Sequence, residues 1–304
     1  MNRGTRTLIA ALITHALACL LLVGVTPAGT AAQEARRATS LPGGGKTIFG
    51  KKRFLTAFYG TAGTSSLGVL GENSPDGAFK RIKNMGRPFL QRGEQLMPVY
   101  ELIVSVADGE GNPGLGDDYS HDIEEWLVQS YIDAAHRNGA LLLLDIQPGR
   151  SDFLTPAKRW EWALQDPWVG LALDPEWRVG TTEIPGRVFG SVSAKEINRT
   201  AGWLATLTKA NNLPEKLFVL HQFRAGQIPD IGKVRARTGL AMVQHVDGYG
   251  SPANKLATYD NVAKPGEVHH GLQDLLGRGH ASYAPARCAW AQGRAVRVVP
   301  VIRA

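Results

Sequence analysis

Cysteine is almost missing from this sequence: there are two in 304 residues. That excludes a disulfide-rich scaffold and a four-cysteine zinc site. No Gly-x-Ser-x-Gly elbow occurs, and Cys19 and Cys288 lie near the ends, so a serine or cysteine nucleophile has no motif to rest on. The turn Gly60-Thr-Ala-Gly63 lacks the rest of the dinucleotide fingerprint and has no early acidic partner, so no cofactor is expected. Charged residues are sparse at 20%, whereas 43% hydrophobic residues suffice for a full core. Acids are outnumbered, 27 against 34 Lys and Arg, for a net charge of +7. Such an excess suits nucleic acid, an acidic polymer or a membrane surface, and where it sits decides between them.

Much of it sits at the ends. Arg3 and Arg6 precede an apolar run over 8–25, and the small residues 26–32 follow. This is the pattern of a secretory signal over 1–32, cleaved after Ala32, with no membrane span left afterwards. The run is short for a spanning helix. A lipid anchor through Cys19 is the less favoured reading, because Ala16 stands where a larger aliphatic is usual and more apolar chain follows Cys19. Residues 33–52 then read as a flexible, Gly-rich lead-in.

From 53 to 271 apolar runs alternate with helical stretches. The runs are 54–59, 96–104, 140–145, 169–174, 216–221 and 240–245. Unbroken runs of this length suit parallel strands buried on both faces. Asp122 with Glu125, and Ser193 with Glu196, read as capping boxes. Thr155-Pro156 and Ser251-Pro252 read as a cap followed by proline at the first helical position, and Gly139 reads as a stop. The expected fold is α/β, a TIM-type (β/α)8 barrel. A doubly wound open sheet is the alternative.

In such a barrel the chemistry lies at the carboxyl ends of strands, and that is where the polar residues collect. Asp145 and Gln147 end the third run, Asp174, Glu176 and Trp177 the fourth, and His221 the fifth. Gln244, His245, Asp247 and Tyr249 end the sixth, and Glu101 lies in the second. The two-residue strand period puts Asp174 and Glu176 on one side. Carboxylates sharing a site raise one another's proton affinity, which keeps a general acid protonated near neutral pH. Glycoside hydrolysis needs such an acid beside a second carboxylate. Trp177, Trp168 and Tyr249 are candidates for stacking on sugar rings. Alternatively these carboxylates cap helices or pair with Arg150, Arg178 and Arg224, each of which follows a strand end. His221 and His245 lack the tight spacing of a helix-borne zinc motif, so no metal is expected, although a metal-dependent hydrolase using both with Asp145 stays open.

Several segments resemble a family of secreted or lipid-anchored bacterial proteins of unsettled activity, glycosidase-like βα barrels. They are Ala57-Phe-Tyr-Gly-Thr-Ala-Gly-Thr64 with Leu67-Gly-Val-Leu-Gly-Glu72, Pro98-Val-Tyr-Glu-Leu-Ile-Val104 and Leu144-Asp-Ile-Gln-Pro-Gly-Arg-Ser-Asp-Phe153. Leu173-Asp-Pro-Glu-Trp177, Leu220-His-Gln-Phe223 and Val243-Gln-His-Val-Asp-Gly248 complete the set. Separately, Asp174-Pro-Glu176 resembles the acidic pair of chitinase-like and lysozyme-like barrel hydrolases. That likeness implies Glu176 as acid and Asp174 as its partner.

The resemblance implies a seventh strand after Gly271 reading roughly Phe-Lys-Ile-Phe-aromatic-Asp-Glu-Asp. With Trp as the aromatic and G/C-ending codons, one inserted base turns that strand into Leu-Gln-Asp-Leu-Leu-Gly-Arg-Gly, the sequence of residues 272–279. Residues 272–304 hold five Arg, seven Ala, one Asp and no Lys or Glu. They read as an aberrant basic tail of out-of-frame translation that leaves the barrel incomplete at its last two strands. An ordinary basic arm is the alternative, and the gene's DNA sequence separates the two.

Setting aside Arg3, Arg6, the five tail arginines and Asp274 leaves 27 basic and 26 acidic residues in 33–271. No nucleic-acid partner is therefore expected. The sequence reads as a secreted, monomeric, glycoside-hydrolase-like enzyme whose partner is a polysaccharide or cell-envelope polymer. Glu176 is the acid, Asp174 tunes it and Asp145 is base or stabiliser. Glu101, Gln147, Trp177, His221, Gln244, His245, Asp247 and Tyr249 line the subsites. A non-catalytic carbohydrate-binding protein is the other alternative.

Overall fold

The computed structural model describes residues 40–114, 116–247, 251–263, 269–272 and 298–301. The expected signal over 1–32, Cys19, Cys288, Tyr249 and most of the tail lie outside them.

Among the described residues nine strands form one sheet: β1 (Arg53–Gly60), β2 (Gln95–Ala107), β3 (Ser120–Asp122), β4 (Leu141–Ile146), β5 (Val169–Leu173), β6 (Lys216–Gln222), β7 (Leu240–Val246), β8 (His269–Leu272) and β9 (Val298–Val301). Their order is β8-β7-β6-β5-β4-β2-β1-β9, with β3 added antiparallel to β2 and all other pairings parallel. All six apolar runs are strands. The result is a curled parallel sheet, a half-barrel compatible with an incomplete (β/α) barrel. Two further strands follow the sixth run. β8 ends at Leu272, the first tail residue, and β9 pairs with β1 from within the tail.

The runs are apolar throughout because both faces of β4, β5, β6 and β7 are buried. Side chains alternate between the faces. Leu55, Ala57, Val99, Leu143, Ala172, Val219 and Val243 belong to a cluster on the concave face. Phe58, Tyr100, Leu144, Leu171, Phe218 and Met242 belong to a second one, packed with the helices.

Among the described residues the helices are α1 (Pro75–Gly86), α2 (Glu125–Asn138), α3 (Leu154–Arg159), α4 (Glu161–Leu164), α5 (Ala194–Ala210) and α6 (Pro252–Val262), and the first five contribute to that second cluster. Ser251 caps α6, accepting from the Asn254 amide at 3.2 Å with Pro252 in the first turn, and Gly139 ends α2 at φ +69°. Two expected caps are corrected. Asp122 does not cap α2, whose N-cap is Glu124. Its carboxylate instead accepts from Ser105 and the Arg159 guanidinium, charge-assisted bonds stronger than a cap. Thr155 lies inside α3, and Asp152 accepts its amide at 2.8 Å. Ser193 supplies half a capping box at α5, while Glu196 turns away to the Phe153 amide and Arg178.

Part of the expected lead-in is packed. Leu41 and Ile48 are buried in the concave cluster, the Ile48 amide donates to Glu215 Oε2 at 2.6 Å, and Arg53 donates to the carbonyls of Pro42, Gly44 and Thr47. Residues 41–48 thus pack at the amino end of the sheet. Lys216 is buried at the same end, its Nζ donating to the Asp166 and Val169 carbonyls at 2.8 Å each. Burial lowers its pKa to about 7, against a smaller pull upward from Asp166.

Candidate active site

The apolar rows of the concave face all turn polar at the same height. One step beyond Ala57, Val99, Leu143, Ala172, Val219 and Val243 stand Tyr59, Glu101, Asp145, Asp174, His221 and His245. Register puts Tyr59 opposite Glu101 and His221 opposite His245, while Asp145 falls opposite Ile103 and Ala172. This layer crosses the carboxyl end of the sheet, far from the packed amino end.

Its bonds converge on His221. The His221 Nε2 lies 2.9 Å from Glu101 Oε1 and 3.9 Å from Asp145 Oδ1. Its Nδ1 lies 3.0 Å from Asp247 Oδ2, and His245 Nδ1 lies 3.3 Å from Asp247 Oδ1. Tyr59 donates its hydroxyl to Asp145 Oδ2 at 3.0 Å and accepts from Gln147 Nε2 at 3.0 Å. Gln147 Oε1 in turn accepts from the Ala107 amide at 3.1 Å.

Burial sets the electrostatics. It raises Asp145 to about 7, with Glu101 adding and His221 opposing. It holds Asp174 well above the usual carboxylate range, with the Asp145 charge adding. It raises Glu176 to about 7, helped by Asp247 and opposed by His221 and Arg224. Burial disfavours the charged form of His221, but Asp247 and Glu101 outweigh it and hold the imidazole well above its ordinary value. For Asp247 burial is likewise outweighed, by the two histidines, and its pKa falls. His245 goes down, chiefly by burial.

Asp145, Gln147, Glu101, His221, His245 and Asp247 therefore come together, with Asp174 and Glu176 beside them. The alternation argument fails for the last pair. β5 ends at Leu173, and residues Pro175–Trp177 form a 3-10 turn in which Asp174 Oδ1 accepts the Glu176 amide at 3.3 Å. Glu176 is half-buried, whereas Asp174 is closed off. Trp177 is half-buried on the same turn.

Two expectations need correction. Gln244 does not line the site: adjacent strand residues face opposite ways, and with His245 inward Gln244 donates outward, to Gln222 Oε1 at 2.7 Å and the Val262 carbonyl at 3.1 Å. Trp168 precedes β5, at the wrong end. It stacks on His136 at 4.3 Å and donates to the Ser40 carbonyl at 2.8 Å. Nor do the arginines bond to these carboxylates, although the Arg224 charge pulls Glu176 downward. Arg150 bonds to Asp117 and the Glu183 carbonyl, Arg178 to Glu196 and the Val179 carbonyl, and Arg224 lies 3.8 Å over the Phe189 ring. Tyr59 was missed. Its signal was the Leu55, Ala57, Tyr59 alternation, which leads straight into the polar layer.

The loop after β4 depends on Gly149, at φ +61°, where an added Cβ would lie 1.9 Å from the Asp118 carbonyl oxygen. Its own carbonyl accepts the Val179 amide at 2.9 Å, tying this loop to the Glu176 turn. Gly149→Ala should therefore cost about 2 kcal/mol or more, combining left-handed strain with a backbone clash. Urea unfolding checks this, and an unchanged midpoint would refute the clash.

No protein-family model matches the sequence, and no curated protein matches it either. Among solved structures, the catalytic domain of an alkaline cellulase K is similar at 14% identity and a TM-score of 0.35. The alignment covers 73% of this chain and 64% of that domain, so the chain spans less than two thirds of it. Among the described residues no helix is long and apolar enough to cross a membrane.

Proposed function

We propose that this is a secreted glycoside hydrolase acting on a polysaccharide or cell-envelope glycan by carboxylate general acid/base chemistry. One observation carries the reading. Half-buried Glu176, with its pKa raised to about 7, stands beside the deeper carboxylates of Asp174 and Asp145 at the carboxyl end of the sheet. Glu176 protonates the glycosidic oxygen. Asp174 holds the Glu176 turn and tunes the acid. Asp145, oriented by Tyr59, serves as base or stabiliser of the oxocarbenium-like transition state. Trp177 offers an aromatic face to a sugar ring. Glu101, Gln147, His221, His245 and Asp247 form the polar wall beneath.

Turnover assays on a glycan panel test this, on the full chain, on a frame-restored counterpart and on culture medium. A Glu176 acid predicts a rate that falls as pH rises through about 7, since only the protonated form donates. Glycan binding without turnover in either form would leave a carbohydrate-binding protein instead. A rate still climbing at pH 9 would remove Glu176 as the acid.

A further inference from the structure

We propose that Glu101, His221 and His245 bind one divalent transition-metal cation of the zinc class. A ring nitrogen of each histidine and a carboxylate oxygen of Glu101 lie within 4.8 Å of one another, all three residues being buried. The two histidines are register partners on adjacent strands, so the sheet itself sets their spacing.

The arrangement around Asp247 is the first independent support. Its two oxygens lie 3.0 Å from His221 Nδ1 and 3.3 Å from His245 Nδ1. A carboxylate holding the far nitrogen is the usual device that orients a metal-binding imidazole and fixes its tautomer. With both Nδ1 atoms committed, the His245 Nε2 is left for a ligand, and the His221 Nε2, 2.9 Å from Glu101, becomes one when the metal displaces its proton. The second support is a set of polar atoms without partners. His245 Nε2 has no hydrogen-bond partner, although the residue is 1% exposed. Asp145 Oδ1, 3.9 Å from His221 Nε2, has none either. Buried polar atoms are seldom left unsatisfied. Third, Glu101 and His245 bound a small cavity whose other walls are apolar, among them Ala57, Val99 and Val243.

Two imidazoles and a carboxylate suit zinc and its first-row neighbours rather than magnesium or calcium, which prefer oxygen alone. Zinc bonds of about 2.0–2.2 Å at tetrahedral angles put ligand atoms roughly 3.3 Å apart, so the 2.9 Å contact between Glu101 and His221 need widen only slightly. Neither Glu176 nor Asp174 is a ligand, so the metal site and the glycosidase reading are tested separately.

The full chain, stripped with chelator, would be titrated with ZnCl2 by calorimetry and with CoCl2 by visible absorption, without substrate. One equivalent of either metal should bind. Asp247→Asn should weaken binding by about 10–100-fold, His245→Ala should weaken it further, and Glu176→Gln should bind like the wild type. A folded wild type with no stoichiometric uptake would overturn the proposal, and so would undiminished uptake by folded His245→Ala. If His245→Ala does not fold, Asp247→Asn decides alone: wild-type affinity in that variant overturns the site.

Discussion

Glu176→Gln should lower glycan turnover by about 10²–10⁴-fold, the usual contribution of a positioned general acid. The loss should fall on kcat, with KM little changed, because the amide keeps the shape of the side chain and removes only the transferable proton. The fold should survive. Glu176 is half-buried on the 3-10 turn, and the bonds that hold the turn do not use its side chain: its amide donates to Asp174 Oδ1, and its carbonyl accepts the Gly190 amide at 2.7 Å. Asp174→Asn is the informative comparison. Burial holds Asp174 protonated well above the usual carboxylate range, so the amide removes no charge near pH 7 and the falling limb of the pH profile should stay in place, whereas Asp247→Asn, which removes a charge that helps to raise Glu176, should move it to lower pH. Turnover of Glu176→Gln within threefold of wild type would take this residue out of the mechanism.

Lys216→Met should abolish a large pH dependence of stability. The folded protein releases the Lys216 proton at about pH 7, because burial disfavours the ammonium, whose Nζ donates to two neutral carbonyls. The unfolded chain keeps that proton to about pH 10.4. Between these values the unfolded state holds one proton more, so wild-type stability rises with pH by about 1.4 kcal/mol per unit. Methionine has nothing to titrate and should leave this slope out. The midpoint at any single pH is less telling, since the variant also takes the Lys216 donor from the buried Val169 carbonyl, at about 1–3 kcal/mol, while the Asp166 carbonyl keeps the Val169 amide. Urea unfolding of both proteins from pH 7 to 9.5 reads the slope directly. Equal slopes would show that Lys216 remains charged in the folded state.

The strands were legible because their chemistry is one-dimensional. A segment buried on both faces must be apolar at every position, and all six such runs proved to be strands. Caps were legible where the cap had no competitor, as at Ser251. Asp122 failed as a cap because Arg159, 37 residues away, was a better partner. The polar layer was half legible. Alternation pointed to Asp145 with Gln147, and would have pointed to Tyr59. It misled at Glu176, because the strand ends at Leu173 and the period of two ends with it. Gln244 was placed in the site with His245, although adjacent strand residues face opposite ways and only one of the two can point inward. Trp168 was assigned to the wrong end because a run's direction is known from sequence, whereas the height of a flanking residue is not.

By itself the sequence determined an α/β chain with parallel buried strands, a near-neutral middle and carboxylates gathered at strand ends. These follow from solvent exclusion and side-chain period, which act along the chain. Only the tertiary structure decided that Glu101, His221, His245 and Asp247 meet at one point, that residues 41–48 pack at the opposite end, and that the nearby arginines bond elsewhere. Those facts join residues up to about 170 positions apart, brought together by strand register and sheet curvature.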